Sequence, residues 1–365
     1  MKNCIVETVK PHTIKKFELV ETYVDGWART LLEIKEASGI AFIDCMCNCG
    51  VYYDESGEKI DGTALRIAKK LNTINERYRK DVRIYLNDIS NEKIEVLKAE
   101  LVKQSLENVK IETNVGDANT YLKNLDIKQL SQHNTLLFYD PYQAMIDWDA
   151  VKPFLKIWGE VIINHMISDS IRGIGQVKKD EKIKKYEDFY GKSLEELHEI
   201  GNNKEALENI IREKIIAWIK EARKNAYVAS FPFHIRTNQQ IFNLLHCSSH
   251  SAGFNLFKRS AWKTFGGKSS TKTGGELEGQ FEIDISSNNM NTFGTAETDG
   301  VYTVYDIANY IYEKYKREEE VLLDVVYRDL ENHPIFPFRG YRPEVNRILK
   351  ERYKAVITRN SIKFN

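Results

Sequence analysis

Acidic residues recur at the ends of successive short apolar runs in the first half of the chain. The run "GIAFID" ends at Asp44, "VRIYLND" ends at Asp88, "VKIETNV" leads to Asp117, and "NTLLFYD" ends at Asp140. Helical stretches lie between these runs, so strands and helices alternate at intervals of about 30 residues. This alternation predicts a doubly wound α/β sheet, in which ligands bind at the carboxyl ends of the strands.

The same pattern predicts the extent of the first domain, residues 1–265. Apolar residues at helical spacing over 14–34 indicate an amphipathic helix before the first strand, and "GEVIINHM" is typical of a fifth strand. Residues of about 172–225 are strongly charged and helical in pattern, which favours an α-helical insertion with solvated faces. Two further strands and a helix are expected before residue 266.

The end of the chain has a different character. Residues 266–300 are rich in Gly, Ser, Thr and Asn and are expected to form a loop or linker. Residues 301–365 contain three helical stretches followed by a hairpin pattern, an order that predicts a winged-helix-like domain. Its segment "RGYRPEVNRILKERYK" is locally basic. That charge favours nucleic-acid binding, although a protein partner remains an alternative.

Whole-chain charge and cysteine usage restrict the class of protein. Lys+Arg and Asp+Glu both number 53, so no global basic field indicates a nucleic-acid binder. Five cysteines, of which Cys45, Cys47 and Cys49 are crowded together, do not form a secreted disulfide framework. Neither a signal peptide nor a membrane-spanning run is recognisable, and we therefore expect a cytoplasmic protein.

The segment between the first strand and its helix, "DCMCNCG", is expected to approach a ligand closely. Asn48 and Gly50 both tolerate positive φ, as such a loop requires. Asp88 is placed to bind ribose hydroxyls, and Asp117 could accept the amino group of an adenine. The alternative for each acid is a helix N-cap or a surface carboxylate. No G-x-G-x-x-G or P-loop motif is present, which disfavours nicotinamide dehydrogenases and P-loop NTPases.

The three cysteines allow three interpretations. Together with His246, Cys247 and His250 they could supply zinc ligands, but C-x-C-x-C is not the usual ligand spacing. Redox chemistry is a second interpretation. Packing as small core residues is the favoured one, so no metal site is predicted.

Several motifs, taken in their order along the chain, resemble those of the three-Cys-motif partner proteins, a family of methyltransferase-like Rossmann proteins. They are "HTIKKFELVETYVDGWARTL", "AFIDCMCNCGVYYD", "DGTALRIA", "YLNDIS", "LLFYDPYQ" and "PFHIRTNQQIFNLLHCSSHSAGFNLFKRSAWK". The resemblance implies a methyltransferase-type sheet, S-adenosylmethionine as cofactor, and a radical-S-adenosylmethionine-like protein as partner. Asp44 matches the acid of the family's first motif and Gly50 its last glycine. Asn48 stands where the family has glycine, and the three cysteines replace apolar or proline residues.

The segment "FYDPYQA" also resembles the Asp-Pro-Pro-Tyr loop of amino-methyltransferases. In that loop the acid accepts hydrogen bonds from an exocyclic amine and the aromatic ring stacks on a flipped base. Asp140, Pro141 and Tyr142 would hold these roles here, with a structural Asp-Pro turn as the alternative.

Three functional hypotheses follow. The first is a methyltransferase-like enzyme that uses S-adenosylmethionine and acts on or binds nucleic acid. The second is a catalytically degenerate methyltransferase fold that serves as a binding or regulatory partner. The third is a metal-dependent nuclease with Asp44, Asp88 and Asp140 as carboxylate ligands.

Overall fold

A computed structural model describes residues 5–141, 146–156, 159–166, 227–234, 240–271 and 301–364, with isolated positions between 184 and 217. The helices are α1 (Pro11–Glu33), α2 (Thr63–Tyr78), α3 (Asn91–Val102), α4 (Ala118–Asn124), α5 (Ile127–Leu130), α6 (Trp148–Lys156), α7 (Ser251–Thr264), α8 (Val304–Tyr315), α9 (Leu323–Asn332) and α10 (Arg342–Tyr353). The strands are β1 (Gly39–Asp44), β2 (Val51–Tyr53), β3 (Lys59–Asp61), β4 (Asp81–Asp88), β5 (Lys110–Val115), β6 (Asn134–Tyr139), β7 (Gly159–His165), β8 (Tyr227–His234), β9 (Gln240–Ser248), β10 (Val321–Leu322), β11 (Val356–Ile357) and β12 (Ser361–Lys363).

Within the described residues, a seven-stranded sheet has the order β5-β4-β1-β6-β7-β9-β8. The first five strands in this order are parallel, whereas β9 is antiparallel to both of its neighbours. The chain leaves β1 toward β4 and β5 on one side, and then returns to build β6 and β7 on the other. The crossover direction therefore reverses between β1 and β6. The predicted doubly wound, methyltransferase-type α/β sheet is confirmed.

Helices cover both faces of this sheet because strand side chains alternate between two apolar clusters. Phe42, Leu86 and Phe138 belong to one cluster with residues of α1, α2 and α7. Ile43 and Leu137 belong to the other, together with residues of α4, α5 and α6. The long apolar face of α1 explains its position on the first surface, since Leu19, Val20, Tyr23, Val24 and Trp27 recur at helical spacing and are all buried.

The hairpin β2–β3 separates β1 from α2, and the sequence analysis did not predict it. Its turn is closed by Asp54, whose carboxylate accepts from the backbone N–H groups of Ser56 and Glu58, and Gly57 supplies a φ of 86°. The N-terminal segment adds to this hairpin, since Val9 N donates to Tyr53 O at 2.8 Å.

The C-terminal elements run helix, strand, helix, helix and hairpin, with a three-stranded sheet of order β10-β12-β11. Three helices and a closing hairpin were predicted, and the short strand β10 was not. This unit packs on α7 through Lys258, whose buried ammonium donates to the carbonyl oxygens of Leu330, Glu331 and His333 at 3.1, 3.1 and 2.7 Å. The winged-helix-like assignment remains a prediction. Most of the helical insertion expected at 172–225, and the linker beyond residue 271, lie outside the described residues.

Candidate functional site

Four polar side chains form a row at the carboxyl ends of neighbouring parallel strands. They are Asp88 on β4, Asp44 on β1, Asp140 immediately after β6, and Asn164 on β7. We call these four residues the strand-end row. Each lies two residues beyond a core residue of the α1 side, namely Leu86, Phe42, Phe138 and Ile162. Since strand side chains alternate, all four point to the face covered by α1. The row spans the β1–β6 position where the crossover direction reverses, which is the usual ligand site of open α/β sheets.

Asp44, in the centre of the row, is buried in the interior of the protein. Its Oδ1 accepts a hydrogen bond from the backbone N–H of Met46 at 3.2 Å. Burial, and to a smaller extent the neighbouring carboxylate of Asp140, raises the pKa of Asp44 to about 8. Asp44 is therefore mostly protonated at neutral pH and carries no charge in the row.

Asp140 is held by donors from two distant segments. Lys16 Nζ lies 2.5 Å from its Oδ2, and Asn164 Nδ2 lies 2.5 Å from its Oδ1. The Lys16 side chain is only 9% exposed, so this is a largely desolvated ion pair. Asn164 Oδ1 is also buried, and it has no hydrogen-bond partner among the described residues. The row thus offers a buried acceptor to a donor on a ligand.

Sequence reasoning did not select Lys16 or Asn164. A local signal existed for Lys16, because it lies one helical turn before the buried Leu19 and Val20 and so falls on the apolar face of α1. The signal for Asn164 was weaker, since it ends a strand as the acids do but carries an amide.

The loop after β1 is fixed to the row by Asp88. The backbone N–H of Asn48 donates to Asp88 Oδ2 at 3.0 Å, and Ser90 N donates to Oδ1 at 2.9 Å. Asn48 and Gly50 have φ values of 56° and 72°, as the sequence predicted for this loop. A Cβ on Gly50 would lie 2.5 Å from Leu97 Cδ1, so packing also demands glycine there.

An amide ladder, which sequence reasoning also missed, supports the loop from the other face of the sheet. Asn87 Nδ2 donates to the carbonyl oxygens of Cys45 and Gly116, and Asn114 Nδ2 donates to Asn87 Oδ1 at 2.7 Å. Cys47 N donates in turn to Asn87 O at 2.9 Å. The loop is thereby bonded to β4 through Asn87, whose side chain is held in turn by Asn114 of β5.

Asp117 is the N-cap of α4, the alternative role considered for each acid. Its Oδ1 accepts from Thr120 N and Thr120 Oγ1, both at 2.9 Å, and these bonds lower its pKa. Asp117 is exposed, and its predicted contact with an adenine stays a prediction. Beside Asp88, Ile89 is 74% exposed, which leaves an apolar side chain open at this edge.

The cysteines of the loop are packed in the interior. Cys45, Cys47 and Cys49 are buried, and their thiols lie near carbonyl oxygens, as in the 3.0 Å contact of Cys49 Sγ with Val51 O. Burial raises the pKa of all three thiols. Among the described residues no group of three His, Cys, Asp or Glu side chains could hold a metal ion. This geometry supports packing, and gives no support to zinc binding or to a nuclease centre at Asp44, Asp88 and Asp140.

The two histidines considered as zinc ligands have other partners. His246 Nε2 lies 2.9 Å from Tyr23 Oη and 2.8 Å from Glu160 Oε2, inside the α1–α7 layer. His250 is the N-cap of α7 and accepts from Ala252 N. Of the predicted catalytic segment, Pro141 is buried beside Asp140, and Tyr142 lies outside the described residues.

Comparisons with known proteins give only distant structural matches. No family model and no curated protein matches it. Protein LPL1258 from Legionella pneumophila superposes with a TM-score of 0.41 at 11% identity, over 68% of this chain and 92% of that one. The O-methyltransferase TomG from Streptomyces achromogenes, solved with SAM, gives 0.36 at 12% identity over 63% and 80%. An rRNA methylase from Streptococcus thermophilus gives 0.31 at 9% identity over 61% and 94%. The fold assignment accordingly rests on the strand order of the sheet itself. None of the described helices is long and apolar enough to span a bilayer.

Proposed function

We propose that this chain is a methyltransferase-like protein that binds S-adenosylmethionine at the strand-end row and acts on or binds nucleic acid. The observation that carries the proposal is the row itself. Four polar side chains converge at the topological switch point, below a loop that Asp88 and Asn87 hold in place. This is the position at which sheets of this class bind nucleotides.

The charge of the row suits a cationic ligand. With Asp44 protonated, the formal charges of Asp88, Asp140 and Lys16 leave the row with one net negative charge. S-adenosylmethionine carries a sulfonium, an ammonium and a carboxylate, and is therefore net positive. The unpartnered Asn164 Oδ1 would accept a hydrogen bond from such an ammonium.

The residues that would hold the cofactor follow from their places. Asp88 would accept hydrogen bonds from the ribose hydroxyls, as the acid after the second strand does in dinucleotide folds. Asp44, Asn48 and Gly50 would line the methionine end, and Ile89 would cover one face of the adenine. Asp117 would accept the adenine amino group. When bound, the cofactor supplies an electrophilic methyl group, and alignment of the acceptor is then the main requirement on the protein.

Asp140, Pro141 and Tyr142 would form the acceptor side. Asp140 would accept a hydrogen bond from the amine being methylated, while Tyr142 would stack on its base. Lys16 and Asn164 already donate to the two oxygens of Asp140. An incoming amine must therefore use a remaining lone pair or displace the Lys16 ammonium.

The same two contacts favour a second candidate function. If Lys16 stays on Asp140, the acceptor side is closed, and the chain would be a degenerate methyltransferase fold. It would then act as a binding or regulatory partner of a radical-S-adenosylmethionine-like protein, as the family resemblance suggests.

A transfer assay separates these functions. Full-length protein is incubated with S-adenosylmethionine labelled in its methyl group and with total cellular DNA and RNA, and label is counted in nucleic acid after protease digestion. We expect incorporation that Asp140→Asn lowers at least 100-fold and that Asp149→Asn, an exposed control on α6, leaves unchanged. Cofactor binding without incorporation would favour the partner function, and absence of cofactor binding would refute the methyltransferase function.

A further inference from the structure

The C-terminal unit has a strongly segregated charge, although the chain as a whole is neutral. Residues 304–332, which include α8 and α9, contain eight acidic and four basic residues. Residues 339–363, which include α10 and the β11–β12 hairpin, contain eight basic and two acidic residues, a net charge of +6. A field of this kind attracts a polyanion to one side of the unit.

Basic residues of α10 and of its C-terminal cap are exposed to solvent. Val345, Ile348 and Leu349 are buried against the rest of the unit. Arg347 and Lys350 are exposed one helical turn apart on the same face of α10. Lys354 is exposed just beyond the helix, where it is the C-cap with a φ of 55° and its Nζ donates to Glu351 O at 2.9 Å. Arg347 pairs with Glu351 at 3.1 Å, but both side chains are more than half exposed and such a pair opens at little cost.

The turn of the β11–β12 hairpin continues this basic surface. Thr358 N donates to Ser361 O at 2.9 Å, and Thr358 Oγ1 accepts from the backbone N–H groups of Asn360 and Ser361. These bonds fix the turn and leave Arg359 exposed at its tip. The helix, its C-cap and the turn, which is separated from the helix by four residues, therefore present four cations to solvent.

We propose that Arg347, Lys350, Lys354 and Arg359 bind the phosphate backbone of double-stranded DNA, with α10 lying in the major groove. An α-helix with its side chains is about 10–12 Å across, which matches the roughly 12 Å width of the B-form major groove. The major groove of A-form RNA is too narrow and deep to admit it. The contacts are to phosphates, so binding is independent of sequence. This inference deepens the nucleic-acid part of the proposed function by naming the duplex and the surface.

Fluorescence anisotropy with a labelled 20-base-pair DNA duplex of arbitrary sequence tests the proposal. Four phosphate contacts predict a slope of about −3.6 for log K against log salt, or a loss of about 100-fold in affinity between 50 and 200 mM salt. Lys350→Gln with Lys354→Gln should reduce the slope to about −1.8. Lys98→Gln with Lys103→Gln removes the same charge from the exposed surface of α3 and from its C-cap, and should leave the slope unchanged.

Several results would overturn the proposal. The first is absence of binding to the DNA duplex, and the second is an equal reduction of the salt slope in the α3 control. The third is binding to a double-stranded RNA of the same sequence, or to vesicles containing phosphatidylserine, that is as tight as binding to DNA or tighter. Calorimetric titration of S-adenosylmethionine into the α10 variant should match that of the wild type. A failure of DNA binding is thereby distinguishable from a failure of cofactor binding.

Discussion

Replacing Asp44 by Asn should make the protein more stable, and increasingly so as the pH rises. Asp44 has a pKa of about 8 in the folded protein, against an ordinary value of 3.8, chiefly because it is buried. Between these values the folded chain holds a proton that the unfolded chain has released. The wild type therefore loses stability as the pH increases from about 4 to about 8. Asn has a similar shape and does not titrate, so the variant escapes this loss.

The pKa difference sets the size of the effect. A difference of about four units corresponds to nearly 6 kcal/mol at most, at about 1.4 kcal/mol per unit. Between pH 5 and the folded pKa of about 8 the limit is about 4 kcal/mol; relaxation of the loop and entry of water reduce it, and we expect Asp44→Asn to gain about 2–4 kcal/mol relative to the wild type between pH 5 and pH 8.5. The two proteins should differ least at pH 5, by about 1–2 kcal/mol, because pH 5 lies only about one unit above the ordinary pKa of 3.8 at which the unfolded chain releases its proton.

Urea unfolding followed by circular dichroism at pH 5.0, 6.5, 7.5 and 8.5 measures this difference. Asp149→Asn removes an exposed carboxylate on α6 and should keep a constant offset from the wild type across the series. A difference between Asp44→Asn and wild type that does not change with pH would refute the reasoning, because Asp44 would then titrate alike in both states.

Three other substitutions or modifications test the packing around the site. Gly50→Ala should lower the free energy of unfolding, measured in urea, by about 2–4 kcal/mol, because Gly50 has a positive φ and the added Cβ would meet Leu97. Gly57→Ala is the control: its φ is also positive but the space around it is open, so the loss should be only about 1 kcal/mol. Equal losses in the two variants would contradict this reasoning. Lys258→Met should lower the free energy of unfolding by about 2–4 kcal/mol, because the carbonyl groups at the end of α9 lose their donor. Lys263→Met, an exposed control that also lies on α7, should leave stability nearly unchanged. An unchanged stability of Lys258→Met would show that its ammonium contributes nothing. In a Cys4→Ser background, the thiols of Cys45, Cys47, Cys49 and Cys247 should react with a disulfide reagent only after denaturation, because all are buried, and rapid reaction of the native protein would contradict their packing.

The strands of the site could be predicted because their signals are local. Each of β1, β4 and β6 is a short apolar run that ends in an acid, and parallel strands bring such ends to one edge. Asp44, Asp88 and Asp140 thus lie in one row, as expected from their register. Positive φ at Asn48 and Gly50 was likewise predictable, since few other residues tolerate it.

Contacts between distant segments could not be predicted in this way. Lys16 meets Asp140 across 124 positions of sequence, and no periodicity within α1 specifies which strand end its ammonium will reach. The amide ladder through Asn87 is equally a product of the strand order. The β2–β3 hairpin was missed for a different reason. Its strands are only three residues long, although the "DESGE" turn between them was a usable signal.

Calorimetric titration of S-adenosylmethionine into the full-length protein tests the central claim most directly. We expect binding at one site per chain. Asp88→Ala should weaken the affinity at least tenfold, or by about 1.4 kcal/mol, because the ribose acceptor and the anchor of the loop are both lost. Asp126→Ala removes a comparable helix-capping carboxylate at α5, away from the row, and should bind as the wild type does. Absence of heat at high protein concentration, or equal affinity of Asp88→Ala and wild type, would contradict a cofactor site at the strand-end row.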